Sequence, residues 1–274
     1  MPFLGSRSHP KPRVALLGVP YDRTQSHRRG AAGGPRAIRA ASWSLETYSP
    51  ALGRDLDEVA LTDLGDLAVT DLEPAEMVEA VVQSVKALDP GTVPFLLGGD
   101  HTITVGAVRA LAQRWPDLVV IQLDAHADLR ETYEREPLSH ACTMRRIWEI
   151  LGDDRIVQLG VRSYTREEWR FARSHCRWSL DSLALPETVL AELRARPVYL
   201  TLDVDVLDPA FAPGVGNPEP GGPAFSDLCA ALRALGRVRV VGMDVVEVSP
   251  LFDPAEITAT AAAKLVRELI LQFA

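Results

Sequence analysis

Four times in this chain a short apolar, β-branched run stops abruptly at acidic or histidine residues, with helix-patterned segments lying between the runs. Val93 to Leu97 leads into Gly98-Gly99-Asp100-His101, Leu118 to Leu123 into Asp124-Ala125-His126-Ala127-Asp128, Val198 to Leu202 into Asp203-Val204-Asp205, and Val238 to Met243 into Asp244-Val245-Val246-Glu247. Runs of this kind, apolar on successive residues rather than alternating, fit strands buried on both faces, as in a parallel sheet covered by helices. Between them Met77, Val78, Val81, Val82, Val85 and Leu88 recur at helical spacing behind Pro74. The alternation predicts one α/β domain over residues 1–274, with a largely parallel sheet flanked on both faces. In such sheets ligands bind beyond the carboxyl ends of the strands. His101, Asp124, His126, Asp128, Asp203, Asp205 and Glu247 all fall there.

The remaining segments complete the pattern. Residues 13–19 give a first strand, and the Gly/Pro loop Gly30 to Arg36 opens a helix near Ala37 to Ser42. A helix runs from after Thr102 to about Trp115, another from His140 to Leu151, and Ile156 to Val161 is a strand. Residues 165–195 read as helical around a link near Ser179 to Pro186; helices also cover 226–235 and 254–272. The Pro/Gly stretch Pro209 to Pro223 is a long loop, of a length that usually carries function. No G-x-G-x-x-G follows the first strand and no G-x-x-x-x-G-K-[ST] occurs, which weakens a nucleotide-binding reading.

Bulk properties narrow the partners. A formal net charge of -8 without a long Lys/Arg tract argues against nucleic acid. No apolar run approaches a membrane span, and Val14 to Val19 is too short for a signal segment. Three widely spaced cysteines, Cys142, Cys176 and Cys229, argue against a disulfide framework or a cysteine-ligated zinc site and fit a reducing cytosol.

Asp124, His126 and Asp128 alternate along the chain beyond a strand and can converge. Taken alone, the triplet is equally a loop of helix-capping aspartates with one surface histidine. Crowded carboxylates and an imidazole repel and desolvate one another unless a cation neutralises them, and their joint occurrence with His101, Asp203 and Asp205 points to metal. That set exceeds what one tetrahedral zinc needs and suggests two ions about 3.5–4 Å apart.

The chain resembles the ureohydrolase family of arginases and agmatinases, and looks most like the agmatinase branch. The residues that carry the resemblance are G-G-D-H (98–101), D-A-H-A-D (124–128), S-H-A-C (139–142), D-V-D-V-L-D-P-A-F-A-P-G (203–214), P-E-P-G-G (218–222) and G-M-D-V-V-E-V-S-P (242–250), with G-V-P-Y-D (18–22) and G-P-R-A-I-R (34–39) before them. The resemblance implies a three-layer α/β/α domain on a mainly parallel eight-stranded sheet and two manganese ions. His101, Asp124, Asp128 and Asp203 would hold one ion; Asp124, His126, Asp203 and Asp205 would hold the other, with Asp124 and Asp203 bridging. It further implies hydrolysis of a guanidino amine, agmatine first, to urea and putrescine in polyamine biosynthesis. A guanidinium carbon is electron-rich, so water must become hydroxide near neutral pH, which a cation pair promotes by lowering the bound water's pKa toward about 7.

By the same resemblance Asp128 handles the proton for the departing amine, His140 shuttles it, and Glu247 accepts hydrogen bonds from the guanidinium. Asp100 is expected to orient a ligand. The chain departs from the family at Gly216-Asn217-Pro218, where a Thr commonly follows the Gly; Asn217 is therefore a substrate-loop residue that bears on specificity. Aminopropylagmatine, guanidinobutyrate and arginine are alternative substrates. A single-zinc deacetylase and a non-catalytic metal-binding homologue are the rival classes. The family also implies a homotrimer or homohexamer. The loop Arg130 to Glu136 carries Glu131, Glu134 and Glu136, and an anionic rim made by these would favour a distal ammonium over an α-carboxylate.

Overall fold

The computed structural model describes residues 1–274 and builds them on one eight-stranded sheet. Strand β1 (Val14–Val19) leads through α1 (Gly34–Ser42) and a small hairpin, β2 (Tyr48–Ser49) and β3 (Arg54–Asp55), to β4 (Leu61–Asp66). Then come α2 (Pro74–Lys86), β5 (Val93–Gly98), α3 (Ile103–Ala112), β6 (Val119–Leu123), α4 (Thr143–Leu151), β7 (Ile156–Leu159), α5 (Arg166–His175) and β8 (Trp178–Leu180). The chain closes with α6 (Glu187–Arg194), β9 (Pro197–Asp203), α7 (Phe225–Leu235), β10 (Arg239–Val246) and α8 (Ile257–Phe273).

The sheet order is β4-β1-β5-β10-β9-β6-β7-β8, and every neighbouring pair is parallel. Strands β9 and β10 thus insert between β5 and β6. The four runs that end in acidic or histidine residues become four adjacent strands, and their polar ends share one edge.

Side-chain alternation makes two cores. Val119, Ile121 and Leu123 of β6 join Leu228, Leu232, Val266 and Leu269 of α7 and α8 on one face, while Val120 joins Met77, Val81, Val108 and Ile147 of α2, α3 and α4 on the other. Helix α2 shows what drives this packing. Its Val78, Val81, Val82 and Val85 each sacrifice a few tenths of a kcal/mol of helix propensity. Burying each side chain returns roughly 1.5–3 kcal/mol, so tertiary packing decides. Pro74 opens the helix and the Glu76 side chain accepts the Glu73 N–H at 3.0 Å, which fixes where it starts.

Three elements depart from the expected pattern. Strand β4 and the β2–β3 hairpin lie in a region where no strand is expected, and β8 occupies part of the segment read as a link between helices. Both β4 and β8 are edge strands, β4 mixing buried, half-buried and exposed residues and β8 half-buried, so they lack the continuous apolar run that marks the interior strands. Strand β10 also runs on to Val246, past the expected Met243.

Candidate metal centre and active site

At the end of β6 the Asp124 Oδ1 accepts the His126 N–H at 2.6 Å, a tight local turn that brings positions 124, 126 and 128 around one point. Asp128 completes the turn with a φ of +53°, a left-handed conformation that Asp tolerates better than most residues. His101 reaches the same point from the β5–α3 junction. That junction requires Gly99, because a Cβ there would lie 1.9 Å from the Tyr21 carbonyl oxygen. Its Nδ1 lies 3.1 Å from Asp124 Oδ2, 3.0 Å from Asp128 Oδ2 and 3.6 Å from Asp203 Oδ2. On the other side His126 Nδ1 lies 2.9 Å from Asp205 Oδ2 and 3.6 Å from Asp124 Oδ1. The structure therefore brings together all six residues expected as ligands.

Charge at this point is strongly out of balance with burial. Burial, then the Asp124 charge, raises the Asp128 carboxyl to about 7. Burial with Asp205 and Asp124 close by pushes Asp203 well up. Burial alone would lower the His101 imidazole, but the Asp124 and Asp128 carboxylates outweigh it and raise it well above its ordinary value.

A cation fits this donor set. His101 Nδ1 is buried and makes no hydrogen bond, although carboxylate oxygens surround it. Its other nitrogen, Nε2, is tied to Thr201 Oγ1 at 2.8 Å, which leaves Nδ1 as the free donor facing the carboxylates. Two ligand groups, His101-Asp124-Asp128 and Asp124-His126-Asp205, each have their donor atoms within 4.8 Å and share Asp124. Oxygen donors with imidazole suit a hard or borderline divalent metal, and the shared carboxylate suits a pair.

Above the cluster is a cavity of about 260 Å³ lined by His140, Asn217 and Glu247 together with ligand residues. Glu247 sits just past β10 with a φ of +69°, strain of the kind that collects at functional sites. Its Oε1 accepts the His101 N–H at 2.9 Å and its Oε2 the Gln25 amide at 2.7 Å. Burial, then Asp100 and Asp205, raises its carboxyl to about 8. Gly216 leaves room for this pair, since a Cβ there would lie 2.7 Å from Gln25 Nε2 and 3.1 Å from Glu247 Oε2. His140 follows Ser139, with Nε2 3.2 Å from Ser26 Oγ and Nδ1 3.3 Å from Ser139 Oγ. Burial lowers its imidazole to about 4, so it is neutral at pH 7.

Two expectations need correction. Asp100 makes no hydrogen bond to a side chain of the cluster. Its carboxylate accepts hydrogen bonds from the Thr24 hydroxyl and N–H and from the Thr102 N–H, and Thr24 Oγ1 in turn accepts the His140 N–H at 3.0 Å. It therefore steadies the segment that carries His140. The loop carboxylates Glu131, Glu134 and Glu136 do not line the cavity either; Glu134 and Glu136 border a neighbouring cleft with Arg23 and Arg29. From that loop the cavity receives Arg130 and Tyr133, with the Arg130 guanidinium 4.9 Å from the centre of the Tyr133 ring. Besides Glu247 and the aspartates of the cluster, the wall carries the carboxylate of Glu168, which caps α5 and accepts the Leu129 N–H at 3.1 Å. Glu168, Tyr164, Ser26 and Gln25 are wall or support residues that the sequence pattern did not single out.

Comparison with known proteins agrees with this geometry. The model of the arginase family matches residues 12–272. An agmatinase of Halalkalibacterium halodurans is 42% identical over 277 residues, covering 98% of this chain and 95% of that one. An N(1)-aminopropylagmatine ureohydrolase of Thermococcus kodakarensis is 40% identical, covering 93% and 88%. The crystal structure of an agmatine ureohydrolase of Thermoplasma volcanium superposes with a TM-score of 0.89 at 35% identity, covering 99% of this chain and 93% of that one. The chain belongs to the arginase family, on the agmatinase-like branch of its ureohydrolases.

Proposed function

We propose that this enzyme hydrolyses agmatine to urea and putrescine at a pair of manganese ions, as a step of polyamine biosynthesis. The observation that carries the reading is the pair of ligand groups sharing Asp124 beneath a cavity walled by Glu247 and His140. His101, Asp124, Asp128 and Asp203 would hold one ion, and Asp124, His126, Asp203 and Asp205 the other. When bound, the cations neutralise the packed carboxylates and acidify a water close to the guanidinium carbon.

The chain's own residues supply the rest. Glu247 presents oxygens held in place by the His101 N–H and Gln25; a planar guanidinium offers the matching fork of donors, and its positive charge counters the burial and neighbouring carboxylates that raise the Glu247 carboxyl. Asn217 borders the same cavity and offers the substrate a neutral amide. As a C–O bond forms and the C–N bond to the alkyl amine breaks, the departing nitrogen must gain a proton. Asp128, buried at the cluster with its Oδ2 3.0 Å from His101 Nδ1, is placed to handle that proton, and His140 at the cavity wall can carry protons between Asp128 and solvent.

Agmatine is supported by the agmatinases among the relatives, not by the loop carboxylates. The Thermococcus kodakarensis relative supports aminopropylagmatine as a second reading. Arg130 in the wall would favour guanidinobutyrate, but its Nε lies 3.8 Å from Glu168, which offsets that charge. A urea-release screen over agmatine, aminopropylagmatine, guanidinobutyrate and arginine at matched salt tests the assignment. The highest kcat/KM is expected for agmatine, and a preference for arginine would overturn it.

The same proposal includes a homotrimer or homohexamer, supported by the exposed apolar side chains Leu251 and Ile257, and a reducing cytosolic setting, supported by three free cysteines. No helix is long and apolar enough to cross a membrane.

A further inference from the structure

The runs Val120-Ile121-Gln122-Leu123 and Ile156-Val157-Gln158-Leu159 share an oddity, an amide inside an otherwise apolar interior strand. The two glutamines are register partners on β6 and β7, Ser179 is the partner of Gln158 on β8, and both amides are fully buried. Gln122 Nε2 donates to Asp124 Oδ2 at 2.7 Å, and Gln158 Nε2 donates to Gln122 Oε1 at 2.6 Å. Ser179 Oγ donates to Gln158 Oε1 at 2.9 Å and lies 2.8 Å from the hydroxyl of Tyr164, a residue of the cavity wall.

The direction of every proton in this chain follows from its end. A carboxylate only accepts, so Gln122 must turn its NH₂ toward Asp124 and its carbonyl toward Gln158. Gln158 must then donate to Gln122 and accept from Ser179, which leaves Tyr164 to donate to Ser179. All donors point toward Asp124, an arrangement in which each bond polarises the next.

We propose that Tyr164, Ser179, Gln158 and Gln122 form a positioning ladder that fixes the rotamer of Asp124 and links it to the cavity wall. The proposal rests on Asp124 being the shared metal ligand. A neutral donor suits this place, because a leucine would leave Asp124 Oδ2 without its hydrogen bond and a glutamate would add another carboxylate to the cluster. Gln122 also reaches the His126 carbonyl at 3.3 Å and Gln158 the Ala127 carbonyl at 2.8 Å, so the ladder braces the turn carrying the ligands as well as the ligand itself.

The test uses the full chain and measures Mn²⁺ affinity calorimetrically without substrate, alongside the melting temperature of the metal-free protein. Gln122→Met removes the last donor, and binding is expected to weaken 10–100-fold. Tyr164→Phe removes only the first donor, far from the carboxylate, and leaves the buried amides paired. It is expected to weaken binding several-fold at an unchanged metal-free melting temperature, which a mere substrate contact or packing role for Tyr164 would not produce. Gln122→Met or Tyr164→Phe protein that binds Mn²⁺ as tightly as the wild type would overturn the ladder. If Gln122→Met does not fold, Tyr164→Phe decides alone. Wild-type protein that binds no Mn²⁺ would instead overturn the ligand assignment, and the ladder with it.

Discussion

Asp128 bears conflicting demands. It is buried, its backbone is left-handed, and its Oδ2 lies 3.0 Å from His101 Nδ1. Asn tolerates the same φ as Asp, so Asp128→Asn changes charge and proton affinity with little backbone cost. Urea release is expected to fall by roughly 10²–10⁴-fold, the usual worth of a positioned acid or base, while the melting temperature stays close to that of the wild type. Near-wild-type turnover in that variant would reduce Asp128 to a structural residue. Residues such as Asp128 were legible because each follows a strand end in the sequence. Gln25 was not, because its role depends on Glu247, which lies 222 positions away in the chain. Gln122 and Gln158 left a signal, the repeated amide within an apolar run, but its meaning depends on which strands are neighbours.

At the scale of elements, interior strands announce themselves and edge strands do not. Strand β4, paired with β1 and anchored in the core by Leu61, is also tied to α1 by ions. Arg39 of α1 makes a two-pronged contact with Asp63, Nε to Oδ2 at 2.7 Å and Nη2 to Oδ1 at 2.9 Å, and Arg39 is only 5% exposed. Burial pushes the Asp63 carboxyl up, but the Arg39 guanidinium and the N–H groups of Gly65 and Phe3 outweigh it and hold it below its ordinary value. A depressed carboxyl contributes stability above the pKa of the unfolded chain, about 4, and loses it as pH falls through the folded value. Asp63→Asn is expected to destabilise by about 3 kcal/mol at pH 7, because a buried guanidinium loses its buried, two-pronged carboxylate and keeps only the exposed carboxylate of Asp66. The gap between variant and wild type should close as pH falls below about 4. Denaturant midpoints at pH 7 and pH 3 check both, and a gap that is equal at the two values would show that the ion pair does not hold β4.

For the whole molecule, the α/β alternation and the strand ends at which the His/Asp cluster gathers were both readable in the sequence. The order of the strands was not. Local apolar patterning reports that a strand is buried, yet it carries no information about which strand lies beside it. Insertion of β9 and β10 between β5 and β6 turns four separate polar ends into one cluster, so the constellation is a product of topology. The charge of that cluster is also a whole-molecule property, since His and Asp side chains from the ends of β5, β6 and β9 lie within a few ångströms of one another with little solvent to screen them.

The most direct test is therefore the metal itself. Protein stripped by a chelator and dialysed should lose urea release from agmatine, and Mn²⁺ should restore it as the metal content rises to two ions per subunit. Metal-free protein that releases urea at an undiminished rate would contradict the account.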